Sequence, residues 1–183
     1  MPGITWRFST LYSTMNYFEL YDIPVSFFPD AAVVKKKFYK LSRKYHPDFF
    51  SNASEDEQSE VLEKSSLVNK AFKTFSDTDE TIKYILQIKG LLEEEEKYKL
   101  PADFLMDVME LNEQLMEAKM EDDITAVSNI KSQISNFQSR IYEPVQQIME
   151  HYQEGIVPEK ELLQIKEYYY QKKYLNRILV GLN

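Results

Sequence analysis

Lys36-Lys37-Phe38-Tyr39-Lys40-Leu41-Ser42-Arg43-Lys44-Tyr45-His46-Pro47-Asp48 is the stretch on which the reading of this 183-residue chain turns. Upstream of it, Asp30 follows Pro29 and offers an N-cap side chain. Val34, Phe38, Leu41 and Tyr45 then recur at helical spacing on one face. At about 100° per residue, Lys36, Lys40 and Arg43 fall on the opposite face. Pro47 keeps His46 out of the α region, so the helix ends there and His46-Pro47-Asp48 opens an exposed loop. That loop, Phe49 to Asp56, is rich in Ser and Asn. A second helix begins in the acidic run Glu55 to Glu57, which suits a helix N-terminus, and carries Val61, Ser65, Val68, Phe72 and Phe75 on one stripe. Two apolar stripes joined by a short loop make an antiparallel hairpin with the tripeptide at its tip. Such a projection is built for docking and not for catalysis.

The tripeptide alone is a weak signal, but its setting resembles a J domain. Tyr17-Phe18-Glu19-Leu20-Tyr21 matches the short first helix, Lys36 to Tyr45 the basic second helix, and Asn69-Lys70-Ala71-Phe72 the third. Asp77 to Leu86 resembles the short fourth helix. J domains stimulate ATP hydrolysis by DnaK-type chaperones. The resemblance therefore implies a chaperone-binding set of His46, Pro47, Asp48, Lys36, Lys40, Arg43 and Lys44. A cationic helix face steers onto an acidic chaperone surface, and the rigid turn presents an imidazole and a carboxylate in fixed geometry. One departure stands out. The family's fourth helix usually starts Asp-Pro followed by arginine, whereas Asp77 is followed by Thr78-Asp79-Glu80-Thr81.

Composition narrows the remaining classes. A formal charge of −8 argues against general nucleic-acid affinity, which needs a basic footprint over the surface. With no cysteine there is no disulfide, no thiolate cluster and no catalytic thiol, as befits a reducing compartment. His46 and His151 are the two histidines and lie far apart, so no metal and no cofactor is expected. No stretch approaches the length of apolar sequence that a membrane-spanning helix needs. Residues 1–15 read as a disordered extension. Their lack of acids and Arg7 also allow a targeting segment, which would make a mitochondrial matrix location the alternative to a bacterial cytoplasm.

Beyond Gly90, which ends the fourth helix, Glu93 to Lys99 is a charged run without apolar periodicity. The expected division is therefore a J domain at 16–90, a linker at 91–100 and a three-helix domain at 101–183. Pro101 suits the first turn of a new helix. That helix has two apolar stripes. Phe104, Val108, Leu111 and Leu115 form one, and Leu105, Met109 and Met116, with Met106 at the edge, form another about 130° away. A helix at the edge of a small bundle needs one stripe for its core. The second, flanked by Glu110, Glu113 and Glu117, is a candidate partner surface, and methionine suits such adaptable surfaces. The competing reading buries both stripes. Ile130, Ile134, Phe137 and Ile141 mark a long helix bent at Pro144, and Pro158 opens a last helix to about Val180 with Leu162, Ile165 and Tyr169 on one face. The three helices make an antiparallel bundle, so the fold class is all-α. Tyr168, Tyr169 and Tyr170 point to three sides, and at least one is expected to be exposed.

A J domain followed by a bundle that begins Phe104-Leu105-Met106-Asp107-Val108-Met109-Glu110-Leu111-Asn112-Glu113 resembles the HscB family of iron-sulfur cluster co-chaperones. The resemblance covers about residues 16 to 180. It implies two partners, a DnaK/HscA-type ATPase chaperone and the IscU-type cluster scaffold protein. By the family's pattern the scaffold-binding residues are Leu105, Met106, Met109, Glu110, Glu113 and Glu117, with an aromatic from the last helix, for which Tyr169 is the choice. A J-domain co-chaperone for an unrelated protein client is the alternative. An enzyme is a poor fit, because the chain lacks a glycine-rich phosphate loop and any His/carboxylate set beyond His46 and Asp48.

Overall fold

The computed structural model describes residues 15–94 and 96–181, and among them the regular structure is helical throughout. The expected extension at residues 1–15 lies, but for Met15, outside the described residues. The α-helices are α1 (Tyr17–Tyr21), α2 (Ala31–Lys44), α3 (Glu55–Phe75), α4 (Thr78–Ile88), α5 (Ala102–Met120), α6 (Ile124–Glu150) and α7 (Glu159–Val180). The chain divides into two compact units, Met1–Thr81 and Ile82–Asn183. The division falls inside α4, ahead of the charged run expected as the linker.

In the first unit the helix starts follow from side-chain capping. Asn16 and Glu19 form a capping box on α1, Asp30 Oδ1 accepts from the amides of Ala32 and Val33 at the start of α2, and Ser54 with Glu57 forms a second box on α3. Each cap satisfies amides that a helix start leaves without partners. The core is made by Phe18, Tyr21, Val34, Val61, Val68 and Phe75, all buried. The Phe75 ring lies 4.8 Å from that of Phe18 and 5.3 Å from that of Tyr21. Tyr21 donates its hydroxyl hydrogen to Val68 O at 2.8 Å, and burial raises its pKa. The α2 and α3 helices pack as a hairpin, with Phe38 stacked on Phe72 at 4.2 Å.

The departure at Asp77 has a local explanation. Its Oδ1 accepts from the amides of Asp79 and Glu80 at 2.8 and 3.0 Å, so it caps α4 directly. The buried Thr81 hydroxyl reaches Thr74 O and Asp77 O, which fixes the turn that proline would otherwise stiffen. At the other end of α4, Gly90 has φ +69, and the amides of Gly90 and Leu91 bond back to Gln87 O and Leu86 O. This left-handed ending suits a residue without a Cβ.

The second unit is a three-helix bundle of α5, α6 and α7. Its core joins Phe104, Val108, Leu111 and Leu115 of α5 to Ile130, Ile134 and Phe137 of α6 and Leu175 of α7. Asp123 caps α6, and α6 runs through Pro144 to Glu150 without ending there. The described residues of the segment, 91–94 and 96–100, have no regular structure, yet they are not a loose charged run. Leu92 is buried, Lys166 of α7 donates to Glu96 at 2.5 Å, and the Tyr98 ring stacks on that of Tyr170 at 4.4 Å. The segment is a strap laid on α7.

Candidate functional site

The chaperone-facing candidate is built by the end of α2 and the turn that follows. The last amide interaction of α2 is Tyr45 N–H to Leu41 O at 2.9 Å. His46 then takes φ −74 and ψ 124, the extended conformation that a following proline demands. Pro47–Phe50 forms a single turn of 3-10 helix where a polar loop was expected. The Asp48 amide donates to His46 Nδ1 at 3.3 Å, and the Phe49 amide donates to His46 O at 3.1 Å. With Nδ1 accepting, the neutral imidazole carries its proton on Nε2. The Asp48 carboxylate stands 3.7 Å from Nδ1 and is largely exposed. The turn therefore holds a donor and a carboxylate in a fixed relation while leaving both accessible.

Lys36, Lys40, Arg43 and Lys44 are all exposed along α2, as are His46, Pro47 and Asp48. Lys37 is engaged elsewhere: its ammonium donates to the Asp22 carboxylate at 2.8 Å and to Asp22 O at 3.2 Å. That hydrogen bond holds the Asp22 carboxyl below the usual range. Two aromatic residues that the sequence reading passed over join the site. Tyr39, Ser42, Arg43, His46, Asp48 and Phe49 line a surface cleft of about 460 Å³. Phe49 is 68% exposed, and its ring lies 5.7 Å from that of His46. The signal was the pairs Phe38-Tyr39 and Phe49-Phe50. Adjacent aromatics point in different directions, so one of each pair is left for solvent.

The scaffold-facing candidate lies on α5. Its inner stripe is in the bundle core, and its second stripe faces outward: Leu105 sits at the margin of exposure, Met106 is 71% exposed and Met109 62%. Glu110, Glu113 and Glu117 are exposed beside them. The competing reading, with both stripes buried, does not describe this unit. Arg140 of α6 pairs with Asp107 at 2.6 Å and covers the Phe137 ring at 4.3 Å, which closes the other flank of α5.

The last-helix aromatics behave differently from expectation. Tyr169 is 8% exposed and Tyr168 is buried as well, while Tyr170 is half-buried under Tyr98. None of the three is fully exposed, and Tyr169 packs edge-on to Tyr170 at 5.3 Å. The strap and the neighbouring helices cover sides that a lone helical wheel leaves open. Burial, followed by the nearby Glu96, pushes the Tyr170 hydroxyl up to about 12. Among the described residues, no group of three or more His, Cys, Asp or Glu is placed to hold a metal ion, and no helix is long and apolar enough to cross a membrane.

A basic helical hairpin tipped by His-Pro-Asp, with a three-helix bundle after it, defines a J-domain protein carrying a C-terminal helical domain. Residues 16–84 match the model of the DnaJ domain, and residues 100–183 match that of the HSCB C-terminal oligomerisation domain. The chain belongs to the HscB family of co-chaperones of iron-sulfur cluster assembly.

Over 157 residues it is 33% identical to the iron-sulfur cluster co-chaperone protein HscB of Homo sapiens, covering 85% of this chain and 65% of that protein. The matched region thus spans just under two thirds of the human relative. A co-chaperone protein HscB homolog of Vibrio cholerae serotype O1 (strain M66-2) is 30% identical over 128 residues, 69% of this chain and 71% of that one. The crystal structure of human co-chaperone protein HscB superposes with a TM-score of 0.73 at 29% identity, covering 92% of this chain and 81% of that chain. Chaperone HscB from Vibrio cholerae gives 0.63 at 25% identity, covering 92% and 100%.

Proposed function

We propose that this protein is a two-ended adaptor that brings an IscU-type scaffold protein to a DnaK/HscA-type chaperone and stimulates the chaperone's ATPase. The observation that carries the reading is the outward apolar stripe of α5, present on the same chain as an exposed His-Pro-Asp turn. The bundle holds the scaffold through Leu105, Met106 and Met109, with Glu110, Glu113 and Glu117 at the rim. Tyr169 belongs to this set by resemblance, and its burial favours a supporting part behind the surface. The J unit docks on the chaperone through Lys36, Lys40, Arg43, Lys44 and the His46-Pro47-Asp48 turn.

The chemistry of ATP hydrolysis belongs to the chaperone, and this chain supplies contacts. Holding both partners turns the second encounter into an intramolecular one, so modest affinities at each end suffice. The absence of cysteine agrees with work in a reducing compartment, a bacterial cytoplasm or the mitochondrial matrix.

Steady-state ATP turnover by an HscA-type chaperone tests the proposal, with this protein alone, with the scaffold alone and with both. Turnover above the sum of the two separate effects is expected. Met109→Asp places a charge in the apolar patch and should remove that excess while leaving stimulation by the J unit intact. Stimulation without any excess would assign the bundle to an unrelated client, and no stimulation would overturn the adaptor.

A further inference from the structure

Past Met109 the outward face of α5 is interrupted by Asn112 and Glu113 and then carries two more exposed methionines. Met116 is 66% exposed and Met120 is 83% exposed. With Leu105 and Met109 they fall in a sector of about 60° at 100° per residue. They form one row about 22 Å long at 1.5 Å rise per residue, in two pairs separated by the turn of Asn112 and Glu113. The row is separate from the core stripe of Phe104, Val108, Leu111 and Leu115, so bundle packing does not account for it. Flexible, polarizable thioethers lined up in water are what an adaptable docking surface uses.

Size and charge both say what lies on this row. A specific protein interface engages about 20–30 residues a side, far more than three apolar side chains and three glutamates supply. Because α5 starts at Ala102, the footprint can grow along this helix only toward Met116 and Met120. Glu110, Glu113, Glu117 and Glu121 accompany the row and are exposed. The complementary surface is therefore apolar at its centre and carries Lys or Arg at its edge. A second copy meeting this face symmetrically would set carboxylates against carboxylates.

We propose that Met116 and Met120 form the second half of the scaffold-docking surface, so that one basic-rimmed scaffold protein lies along the whole length of α5. The inference rests on the scaffold-docking reading of Met109 above.

Calorimetric titration of the full chain with a purified IscU-type scaffold protein tests it. The double variant Met116→Asp/Met120→Asp should weaken binding about tenfold or more, as loss of buried interface anchors does. Ile156→Asp alters an equally exposed apolar residue in the turn between α6 and α7 and should leave affinity unchanged. Circular dichroism should give the same helix content for all variants, since the altered side chains face solvent. If Met109→Asp abolishes binding while the double variant stays within twofold of the parent, the extension is wrong and the docking reading stands. If Met109→Asp binds like the parent, both fail. If the double variant changes the sedimentation of the chain alone and not its affinity for the scaffold, the row is a self-association surface and the inference is overturned.

Discussion

His46 occupies a backbone conformation that Pro47 imposes, and its ring nitrogen then accepts the Asp48 amide at 3.3 Å. Three adjacent residues thus fix one another, which is why so short a motif was legible without any tertiary information. His46→Gln retains a polar side chain but loses the imidazole's geometry. It should remove most ATPase stimulation, about tenfold or more, while leaving scaffold affinity within twofold. Parallel turnover and binding measurements check this, and retained stimulation would sink the chaperone-docking assignment. Phe49 and Tyr39 were not legible in the same way. Their exposure depends on which aromatic of each pair the α2–α3 packing takes, and Phe38 was taken by Phe72.

Helix boundaries came close to expectation because their signals are local. Asp30, Ser54 and Asp123 cap the helices they precede, and Gly90 ends α4. The strap at 91–100 was hidden, since its partners Lys166 and Tyr170 lie about 70 residues away. Its charges set its pH behaviour. The hydrogen bond from Lys166 lowers the Glu96 pKa, so the stabilisation is present above the unfolded carboxyl value and is lost as pH falls through the folded one. Tyr170 is raised, so its contribution is present below the unfolded value near 10 and lost as pH rises toward about 12. Lys166→Met should speed amide exchange in the strap a few-fold at pH 7, about 0.5–1 kcal/mol for a partly exposed pair. At pH 3, after correction for intrinsic rates, that difference should shrink. An equal difference at both values would show that the ion pair is not what holds the strap.

At the scale of the complete chain, a formal charge of −8 coexists with a cationic face on α2. The Debye length is about 30 Å at 0.01 M salt and about 10 Å at 0.1 M. At the lower salt an acidic partner feels the net charge and is repelled, and at the higher it feels the local patch. Association with an acidic chaperone surface should therefore be fastest near about 0.1 M salt and fall beyond it, as stopped-flow rates can test. A steady rise up to high salt would mean that the basic face is not what meets the chaperone. The same separation of local from global applies to the fold. Periodicity, caps and prolines by themselves set the helices, the His-Pro-Asp turn and the two stripes of α5, because each depends on residues within a few turns of one another. Whether the second stripe would be covered as well, which of three consecutive tyrosines would be buried, and that a charged segment would be strapped to α7 required the packed bundle. Those outcomes depend on surfaces brought together from distant parts of the chain, and burial is a property of what lies opposite a residue as much as of the residue itself.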